Sequence, residues 1–363
     1  MSIHTIDIRK IRGFKLGNAQ NIQGGTGCTA IICEKGAVAG VDVRGGAPAT
    51  RETDLLRSEN MVEKINSVVL SGGSCFGLEA SCGVQKELAD MGVGDDYFGI
   101  HIPIVCGASL FDLGVAESNA YPDIQMGRNA VKNAYNGIFA HGNCGAGTGA
   151  SVGKILGMDR AMKTGLGTYA CSDDELELGA VVAVNAVADV YDGSNRMIAG
   201  LVSEDGMKIE GSIKAFKNML RVSSSPKASA PVEEAPAVVK EKPVFRSMEP
   251  VNIIKAEFDY IEEQKKQIPF NTTIACLITN AKMTKSQCNK LATILHDAYA
   301  RAIKPVHTTC DGDTIFVMTT DEIEVNFDAF AALATDIMQY SIIDAALSAK
   351  SCYGLKAACD FKR

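Results

Sequence analysis

Apolar and polar residues follow two different periodicities along this chain. Short apolar runs rich in Val, Ile, Thr and Cys predict buried strands at residues 28–33, 38–43, 68–70, 180–190, 273–279 and 314–319. Longer segments with apolar residues three and four positions apart predict helices at 77–91, 287–303 and 327–349. The pattern therefore predicts a mixed α/β fold, in which helices cover sheets.

The predicted helix at 287–303 has the clearest start signal. Thr284 and Gln287 stand three residues apart at its beginning, which is the spacing of a capping box. Its apolar stripe consists of Leu291, Ile294, Leu295, Ala298 and Ala302. This spacing predicts one helix face packed on a sheet.

One segment differs in composition from the rest. Residues 222–243 read VSSSPKASAPVEEAPAVVKEKP, which is rich in Ser, Pro, Ala and charge. Such a segment cannot bury enough apolar surface to offset its ordering entropy, so we expect a flexible linker. A polar stretch follows, and the chain then changes abruptly to IPFNTTIACLITNAKMT.

Composition excludes several functional classes. The 363 residues carry a formal charge of −7 with Lys and Arg scattered, so we expect no nucleic-acid partner. No apolar run approaches the roughly 20 residues of a membrane span, and the amino terminus lacks a secretory signal, which together predict a cytoplasmic protein. The twelve cysteines show no metal-ligand spacing, so we expect no metal and no cofactor. Cysteines such as Cys33, Cys75, Cys82 and Cys276 are expected to be small buried hydrophobes.

The junction between Asn271 and Thr272 carries the most distinctive chemistry. A hydroxyl residue stands there at the head of an apolar strand. If Thr272 attacked the Asn271 carbonyl, an N-to-O acyl shift and hydrolysis would free its α-amine. An α-amine has a pKa of about 7.7–8.0 and serves as a general base at neutral pH. From the strand alone, the simpler interpretation is that Thr is a good strand former.

Four other polar residues have two interpretations each. Asn185 interrupts an apolar strand, either to hydrogen-bond a turn or to donate to an oxyanion. Lys154 closes the glycine-rich run GNCGAGTGASVGK, as a solvated side chain or as a catalytic cation. Asp311 and Asp313 flank Gly312, either as a simple turn or as a carboxylate pair in which one pKa is raised.

The glycine-rich run resembles two nucleotide-binding motifs, a phosphate loop and a dinucleotide fingerprint, but matches neither fully. A phosphate loop fails, because Thr148 stands where the first Gly is needed and Ile155 follows Lys154. Gly145, Gly147 and Ala150 fit a loose dinucleotide fingerprint, but the preceding stretch has little strand character. A non-catalytic nucleotide-binding protein is therefore a remote alternative.

Six motifs in order resemble one known family. They are GGTGCTAIICEKGAVAGVDVRGGAPATRETDLL, VVLSGGSCFGLEASCGV, GTGASVGK, VVAVNAVADV, NTTIACLITNAKMTK and HTTCDGDTIFVMTT. Together they resemble the L-aminopeptidase D-amidase/D-esterase family, which includes β-peptidyl aminopeptidases and nylon-oligomer hydrolases. The resemblance implies a four-layer αββα sandwich similar to amino-terminal-nucleophile hydrolases, with no cofactor. It also implies a homo-oligomer, which we expect to be a tetramer of processed heterodimers.

The same resemblance implies self-cleavage between Asn271 and Thr272. One folded domain would then consist of a large chain, residues 1–271, and a small chain, residues 272–363. Thr272 would be the nucleophile that hydrolyses small peptides, amides or esters through an acyl-enzyme. A close alternative keeps this nucleophile but passes the acyl group to an amine, as ornithine acetyltransferases do.

The motifs also imply roles for the four ambiguous residues. Asn185 would donate to the oxyanion, and Lys154 would favour loss of the nucleophile's proton. Asp311 and Asp313 would supply the base for self-cleavage. Phe111 departs from the family pattern, because relatives often carry a Tyr there and Phe cannot donate a hydrogen bond.

Two histidines next to cysteines are expected to be structural. His307 lies three residues before Cys310, and His141 lies three residues before Cys144. Neither pair has further candidate ligands at metal-binding spacing.

Overall fold

A computed structural model describes residues 3–117, 119–222 and 271–361. Its helices are α1 (Glu79–Asp90), α2 (Ile124–Tyr135), α3 (Ile213–Val222), α4 (Lys285–Ala302) and α5 (Phe327–Leu347). Apart from Val222, the last residue of α3, the predicted linker at 222–243 lies outside the described residues. No helix in the described ranges combines the length and apolar character needed to cross a membrane.

Most strands belong to one large sheet, and the others form short two- and three-stranded sheets. In chain order they are β1 (His4–Thr5), β2 (Lys15–Asn21), β3 (Thr26–Val43), β4 (Thr50–Arg51), β5 (Lys64–Ser71), β6 (Asp95–Tyr97), β7 (Ile100–Ile102), β8 (Val105–Ser109), β9 (Ser151–Val152), β10 (Met162–Lys163), β11 (Leu166–Asp173), β12 (Leu176–Ala183), β13 (Asp189–Tyr191), β14 (Met197–Ala199), β15 (Ile274–Ala281), β16 (Ile303–Lys304) and β17 (Thr314–Ile323).

The large sheet has ten strands and divides at the long strand β3. Its order is β1-β11-β12-β15-β17-β3-β5-β8-β4, and β2 also pairs with β3. Residues 28–32 of β3 pair with β5 and β2, whereas residues 38–43 pair with β17. One strand therefore connects two groups of strands, which stack as two layers.

The hydrophobic core shows that these two groups of strands face each other. In β15, Ala275 and Leu277 pack with residues of α4 and α5, whereas Ile274 and Cys276 join the core between the sheets. Alternate residues of a strand point to opposite faces, so β15 has a helix layer on one side and a sheet on the other. A third cluster joins β2, β3, β5 and β8 to α1 and α2. The predicted αββα sandwich is confirmed.

The structure corrects several predicted boundaries. The predicted strands at 28–33 and 38–43 are parts of the single strand β3. The predicted strand at 180–190 was wrong in its second half, because β12 ends at Ala183 and Asn185 lies beyond it. The capping box at Thr284 and Gln287 is confirmed at the start of α4. Helices α2 and α3 were not predicted.

Candidate active site

Thr272 lies immediately before β15, inside the sandwich. Its side chain is only 4% exposed. Its backbone N–H donates to the Asn185 carbonyl oxygen over 2.8 Å, and its hydroxyl donates to the carbonyl oxygen of Asn271. Strand β15 lies between β12 and β17, so both neighbours fix the position of its first residues. The hydroxyl is thus held against the peptide bond that precedes it.

The Asn271 carbonyl oxygen also receives a backbone donor. The N–H of Gly312 donates to it over 3.0 Å, and the N–H of Asn271 donates to the Cys310 carbonyl oxygen over 3.1 Å. These contacts join Asn271 to Asp311 in a short parallel bridge. A backbone N–H directed at a carbonyl oxygen is the type of group that stabilises developing negative charge there.

Gly312 allows the loop 308–313 to approach the nucleophile. A Cβ atom at this position would lie 2.7 Å from Thr272 Oγ1 and 2.8 Å from the Ala47 carbonyl oxygen. Both distances are shorter than carbon–oxygen van der Waals contact. Gly312 therefore brings its backbone N–H to the Asn271 carbonyl oxygen because it has no side chain.

Asp311 and Asp313 converge from a turn rather than from one face of a strand. Asp313 Oδ1 accepts the N–H of Thr273 over 2.8 Å. Asp311 Oδ2 accepts the backbone N–H of Thr308 over 2.8 Å and its hydroxyl over 2.6 Å. Burial, and next the negative charge of Asp313, raise the pKa of Asp311 to about 6. The predicted carboxylate pair is thus present, and one member has a raised pKa.

Asn185 connects the nucleophile to Lys154. It is fully buried, and its Oδ1 accepts the backbone N–H of Ser151 over 3.1 Å and Lys154 Nζ over 2.7 Å. Its Nδ2 donates to the Phe111 carbonyl oxygen over 2.8 Å. The side-chain amide has a second N–H, and the Asn185 backbone carbonyl accepts from Thr272. Asn185 thus holds Lys154 through its side chain and Thr272 through its backbone.

Lys154 is a buried cation with a strongly shifted pKa. Burial lowers the pKa of Lys154 to about 7, although the charges of Asp311 and Asp112 raise it. The ammonium group lies 2.7 Å from Asn185 Oδ1. Lys154 is therefore linked to Thr272 through Asn185, whose backbone carbonyl accepts the Thr272 N–H, and its charge acts on Asp311.

A cavity of about 290 Å³ opens beside Thr272. Small or uncharged side chains line it: Ala47, Pro48, Ala49, Ser74, Cys75, Ser109 and Phe111. Phe111 presents a ring and no hydroxyl to this space. Cys75 is exposed, so the expectation that it is buried was wrong; Cys33 and Cys276 are buried as expected, and Cys82 is partly buried.

His307 belongs to the site, although the sequence suggested only a structural role. Its ring Nδ1 lies 2.7 Å from Asp313 Oδ2. Two residues of α4 surround the ring, with centroid distances of 4.7 Å to His296 and 6.1 Å to Tyr299. The sequence signal that was missed is the spacing of six residues between His307 and Asp313, which lets one turn bring the two side chains together. His141 Nδ1, by contrast, lies 2.6 Å from Asp344 Oδ2 near the surface.

The glycine-rich run shows no nucleotide-binding architecture. Among residues 119–222, no α-helix begins between α2 and α3. A dinucleotide site requires a helix amino terminus after the glycine-rich turn to hold the pyrophosphate. The same run instead brings Lys154 and Ser151 to Asn185. Groups of His, Cys, Asp or Glu arranged for a metal ion do not occur among the described residues.

Known proteins share this architecture. An L-aminopeptidase D-Ala-esterase/amidase from Ochrobactrum anthropi superposes with a TM-score of 0.61 at 16% identity, covering 97% of this chain and 90% of that one. A β-aminopeptidase from Burkholderia sp. superposes with a TM-score of 0.60 at 16% identity, covering 96% and 90%. The first is described as a variant of the Ntn hydrolase fold, and this chain shares that fold.

Sequence comparison identifies the family. Residues 7–359 match peptidase family S58, and the chain belongs to this family. An aminopeptidase from Mycobacterium leprae is 30% identical over 356 residues, which cover 92% of this chain and 85% of the relative. A 6-aminohexanoate-oligomer endohydrolase from Kocuria sp. is 29% identical over 352 residues, covering 92% and 84%. The resemblance to the L-aminopeptidase D-amidase/D-esterase family is confirmed, and the chain is a peptide-bond hydrolase.

Proposed function

We propose that the chain cuts itself between Asn271 and Thr272 and then uses Thr272 as an amino-terminal nucleophile. The observation that carries this proposal is the hydrogen bond from the Thr272 hydroxyl to the Asn271 carbonyl oxygen. The Thr272 hydroxyl therefore already contacts the carbonyl group of Asn271, which is the group it must attack. The Gly312 N–H on the same oxygen supports this assignment.

Self-cleavage proceeds in two steps. Thr272 Oγ1 attacks the Asn271 carbonyl carbon and loses its proton to the carboxylate of Asp311. The Gly312 N–H stabilises the oxyanion, and collapse breaks the C–N bond as the Thr272 nitrogen takes a proton. The product is an ester between Asn271 and the Thr272 hydroxyl. Water then hydrolyses the ester, which leaves an Asn271 carboxylate and a free Thr272 amine.

The mature enzyme repeats this chemistry on an external amide. The free α-amine of Thr272 takes the hydroxyl proton during attack and returns it to the leaving amine. Water hydrolyses the acyl-enzyme with the same amine as base. The second N–H of the Asn185 amide is the side-chain donor for the oxyanion, and Lys154 adds positive potential beside it. Asp311 and Asp313 stabilise the α-ammonium group of Thr272 after it has taken the hydroxyl proton and before it returns that proton to the leaving amine.

The cavity supports a small acyl group as substrate. A volume of about 290 Å³ lined by Ala, Pro, Ser, Cys and Phe suits short peptides, small amides or esters. Relatives named as an aminopeptidase and as a 6-aminohexanoate-oligomer hydrolase fit the same class. We further propose that the processed chains work in the cytoplasm as a homo-oligomer, a tetramer of heterodimers, without nucleic acid, membrane or cofactor.

Denaturing electrophoresis and amino-terminal sequencing test the self-cut. The purified chain should give two bands, and the smaller should begin at Thr272. The isosteric variant Thr272→Val lacks the hydroxyl and should remain as a single band. An uncut wild-type chain with full amidase activity would rule out the mechanism. Product analysis with and without an added amine separates hydrolysis from acyl transfer.

A further inference from the structure

His307 packs behind the nucleophile and holds one member of the carboxylate pair. Asp313 Oδ2 receives the backbone N–H of His307 over 3.2 Å and lies 2.7 Å from its ring Nδ1. The other oxygen of the same carboxylate accepts the N–H of Thr273, the residue that follows the nucleophile. A continuous chain of contacts thus runs from His307 through Asp313 to the peptide bond between Thr272 and Thr273.

The backbone of His307 adopts a conformation that favours this double contact. Its φ is +56°, in the left-handed region that few residues other than Gly, Asn and Asp enter. This conformation directs the backbone N–H and the ring towards the same carboxylate oxygen. Strained backbone of this kind persists where surrounding contacts require it, and it is concentrated at functional sites.

The two aspartates therefore have different surroundings. Asp313 has donors on both oxygens, and each of these donors stabilises its ionised form. Asp311 has donors on Oδ2 only, and its buried Oδ1 has no hydrogen-bond partner within the described residues. When two carboxylates lie close together, the first proton binds preferentially to the one that accepts fewer hydrogen bonds.

We propose that His307 is a positioning residue that keeps Asp313 ionised and thereby directs proton uptake by the pair to Asp311. This inference rests on the proposed self-cleavage, in which Asp311 accepts the Thr272 proton. His307 itself touches neither the scissile bond nor the substrate cavity. It acts through Asp313, and its ring must carry a proton on Nδ1 while Asp313 is charged.

The groups that face His307 are compatible with this role. Burial lowers the pKa of His296 to about 4, so the neighbouring ring is neutral at pH 7 and does not repel a proton on His307. His296 Nε2 lies 3.2 Å from the Asp42 carbonyl oxygen. The titratable and charged groups around the cluster are Asp311 and Asp313 on the loop, His296 and Tyr299 on α4, Asp42 and Arg44 near the end of β3, and Lys154 facing Asp311.

A matched pair of substitutions separates positioning from packing. His307→Asn keeps a side-chain N–H donor near the position of Nδ1 and tolerates positive φ. His307→Gly also tolerates positive φ but loses the donor. Both variants keep the backbone N–H. The rate of self-cleavage is measured against pH by denaturing electrophoresis, and thermal unfolding confirms that each variant is folded.

The acid limb of the pH profile gives the decisive result. Loss of the donor lets Asp313 share the first proton of the pair, so Asp311 stays ionised, and able to act as the base, at lower pH. We expect the acid limb of His307→Gly to move downward by about one pH unit and that of His307→Asn to stay near the wild-type position. An equal loss of rate at every pH in both variants would overturn the inference.

Nuclear magnetic resonance tests the contact without relying on cleavage. The chain has five histidines, so ¹⁵N-histidine labelling gives a simple spectrum. The wild-type His307 ring should be protonated on Nδ1, and its signal should be identified by its loss in His307→Gly. A ring protonated only on Nε2 would also overturn the inference. An uncut wild-type chain with Nδ1 protonated would instead overturn the self-cleavage proposal and leave the pairing of His307 with Asp313 intact.

Discussion

At the scale of single residues, backbone groups confine the Thr272 hydroxyl more closely than side chains do. Gly312 supplies an N–H to the Asn271 carbonyl oxygen and leaves the space that Thr272 Oγ1 occupies. The Asn185 carbonyl fixes the Thr272 N–H. The reactive geometry therefore depends on how two loops approach each other, and small steric changes should disturb it.

Gly312→Ala should block processing without unfolding the chain. The added methyl group would lie 2.7 Å from Thr272 Oγ1, and relieving that overlap must shift the hydroxyl or the loop. A displacement of about 1 Å costs about 10²-fold in rate. The fraction of uncut chain over time measures the effect. Gly193→Ala is the control, because no atom lies within 4 Å of its added methyl group, and it should be cut normally.

Lys154→Met should stabilise the fold and slow processing. Burial lowers the pKa of Lys154 to about 7, whereas in the unfolded chain this lysine is fully charged at pH 7. Folding must therefore bury or remove that charge, and either costs free energy. A Met side chain of similar length carries no such penalty, which is about 1.4 kcal/mol for each unit by which the pKa is lowered. Urea unfolding of Thr272→Val and of the double variant Thr272→Val/Lys154→Met compares uncut chains.

The stability gained by Lys154→Met should depend on pH with a definite sign. Between pH 7 and about 10.5 the unfolded lysine binds more protons than the folded one, so the lysine-containing chain gains stability as pH rises. The advantage of the Met variant should therefore shrink by about 1.4 kcal/mol per pH unit in this window. A constant difference from pH 7 to pH 10 would contradict the lowered pKa.

At the scale of elements, helix α4 links the chain's clearest local signal to the site. Thr284 and Gln287 cap its first turn in both directions, and its later turns carry His296 and Tyr299 behind the nucleophile. The Tyr299 hydroxyl also donates to the Thr273 carbonyl oxygen over 3.3 Å. The cap stabilises the amino-terminal end of α4, whereas His296 and Tyr299, near its carboxyl-terminal end, contact the candidate active site.

Thr284→Ala should lower stability and leave chemistry unchanged. Loss of an N-cap hydroxyl costs about 0.5–2 kcal/mol. The thermal midpoint should therefore fall, while the rate of self-cleavage at 25 °C stays near the wild-type value because the cap is at the opposite end from Tyr299. Thr284→Ser keeps the capping oxygen and should restore the midpoint. A large loss of rate in Thr284→Ala would show that the whole helix is coupled to the site.

At the scale of the whole molecule, the two sides of the proposed cut share one sheet. Strands β15 and β17 follow Thr272, and they pair with each other. Their outer neighbours are β12 and β3, which both precede Asn271. The segment after the cut is therefore bonded on both sides to the segment before it.

Cleavage should not separate the two pieces under native conditions. Backbone hydrogen bonds and the core on both faces of β15 and β17 hold them together. The pieces should elute together from a native sizing column and separate only in denaturant. The uncut Thr272→Val chain gives the reference elution volume. Release of residues 272–363 under native conditions would contradict this prediction.

Local sequence predicted the elements that depend on neighbours in the chain. The helices that became α1, α4 and α5 and the strands β5, β15 and β17 were found because a buried face repeats at a period set by backbone geometry. The buried face of α2 consists of small residues, whereas the apolar residues of α3 recur with clear helical spacing, and both helices were missed. The break after Ala183 was also missed, because the apolar run continues to residue 190 while the strand does not.

The site required contacts between residues far apart in sequence. The motifs identified Asn271, Thr272, Asn185, Lys154 and the two aspartates as candidates, but they did not determine which atoms touch. The contact of Lys154 with Asn185, and that of the Gly312 N–H with the Asn271 carbonyl oxygen, arise only when separate loops fold onto β15.

The sequence by itself determined the family, the layered fold and the residue at the proposed cut. The period of the buried residues and the order of the motifs depend only on residues that are close together in the chain. Only the tertiary structure decided where the charges lie and which of their pKa values are shifted. Burial and the approach of a second charge set a pKa, and both depend on distances between loops that no local pattern specifies.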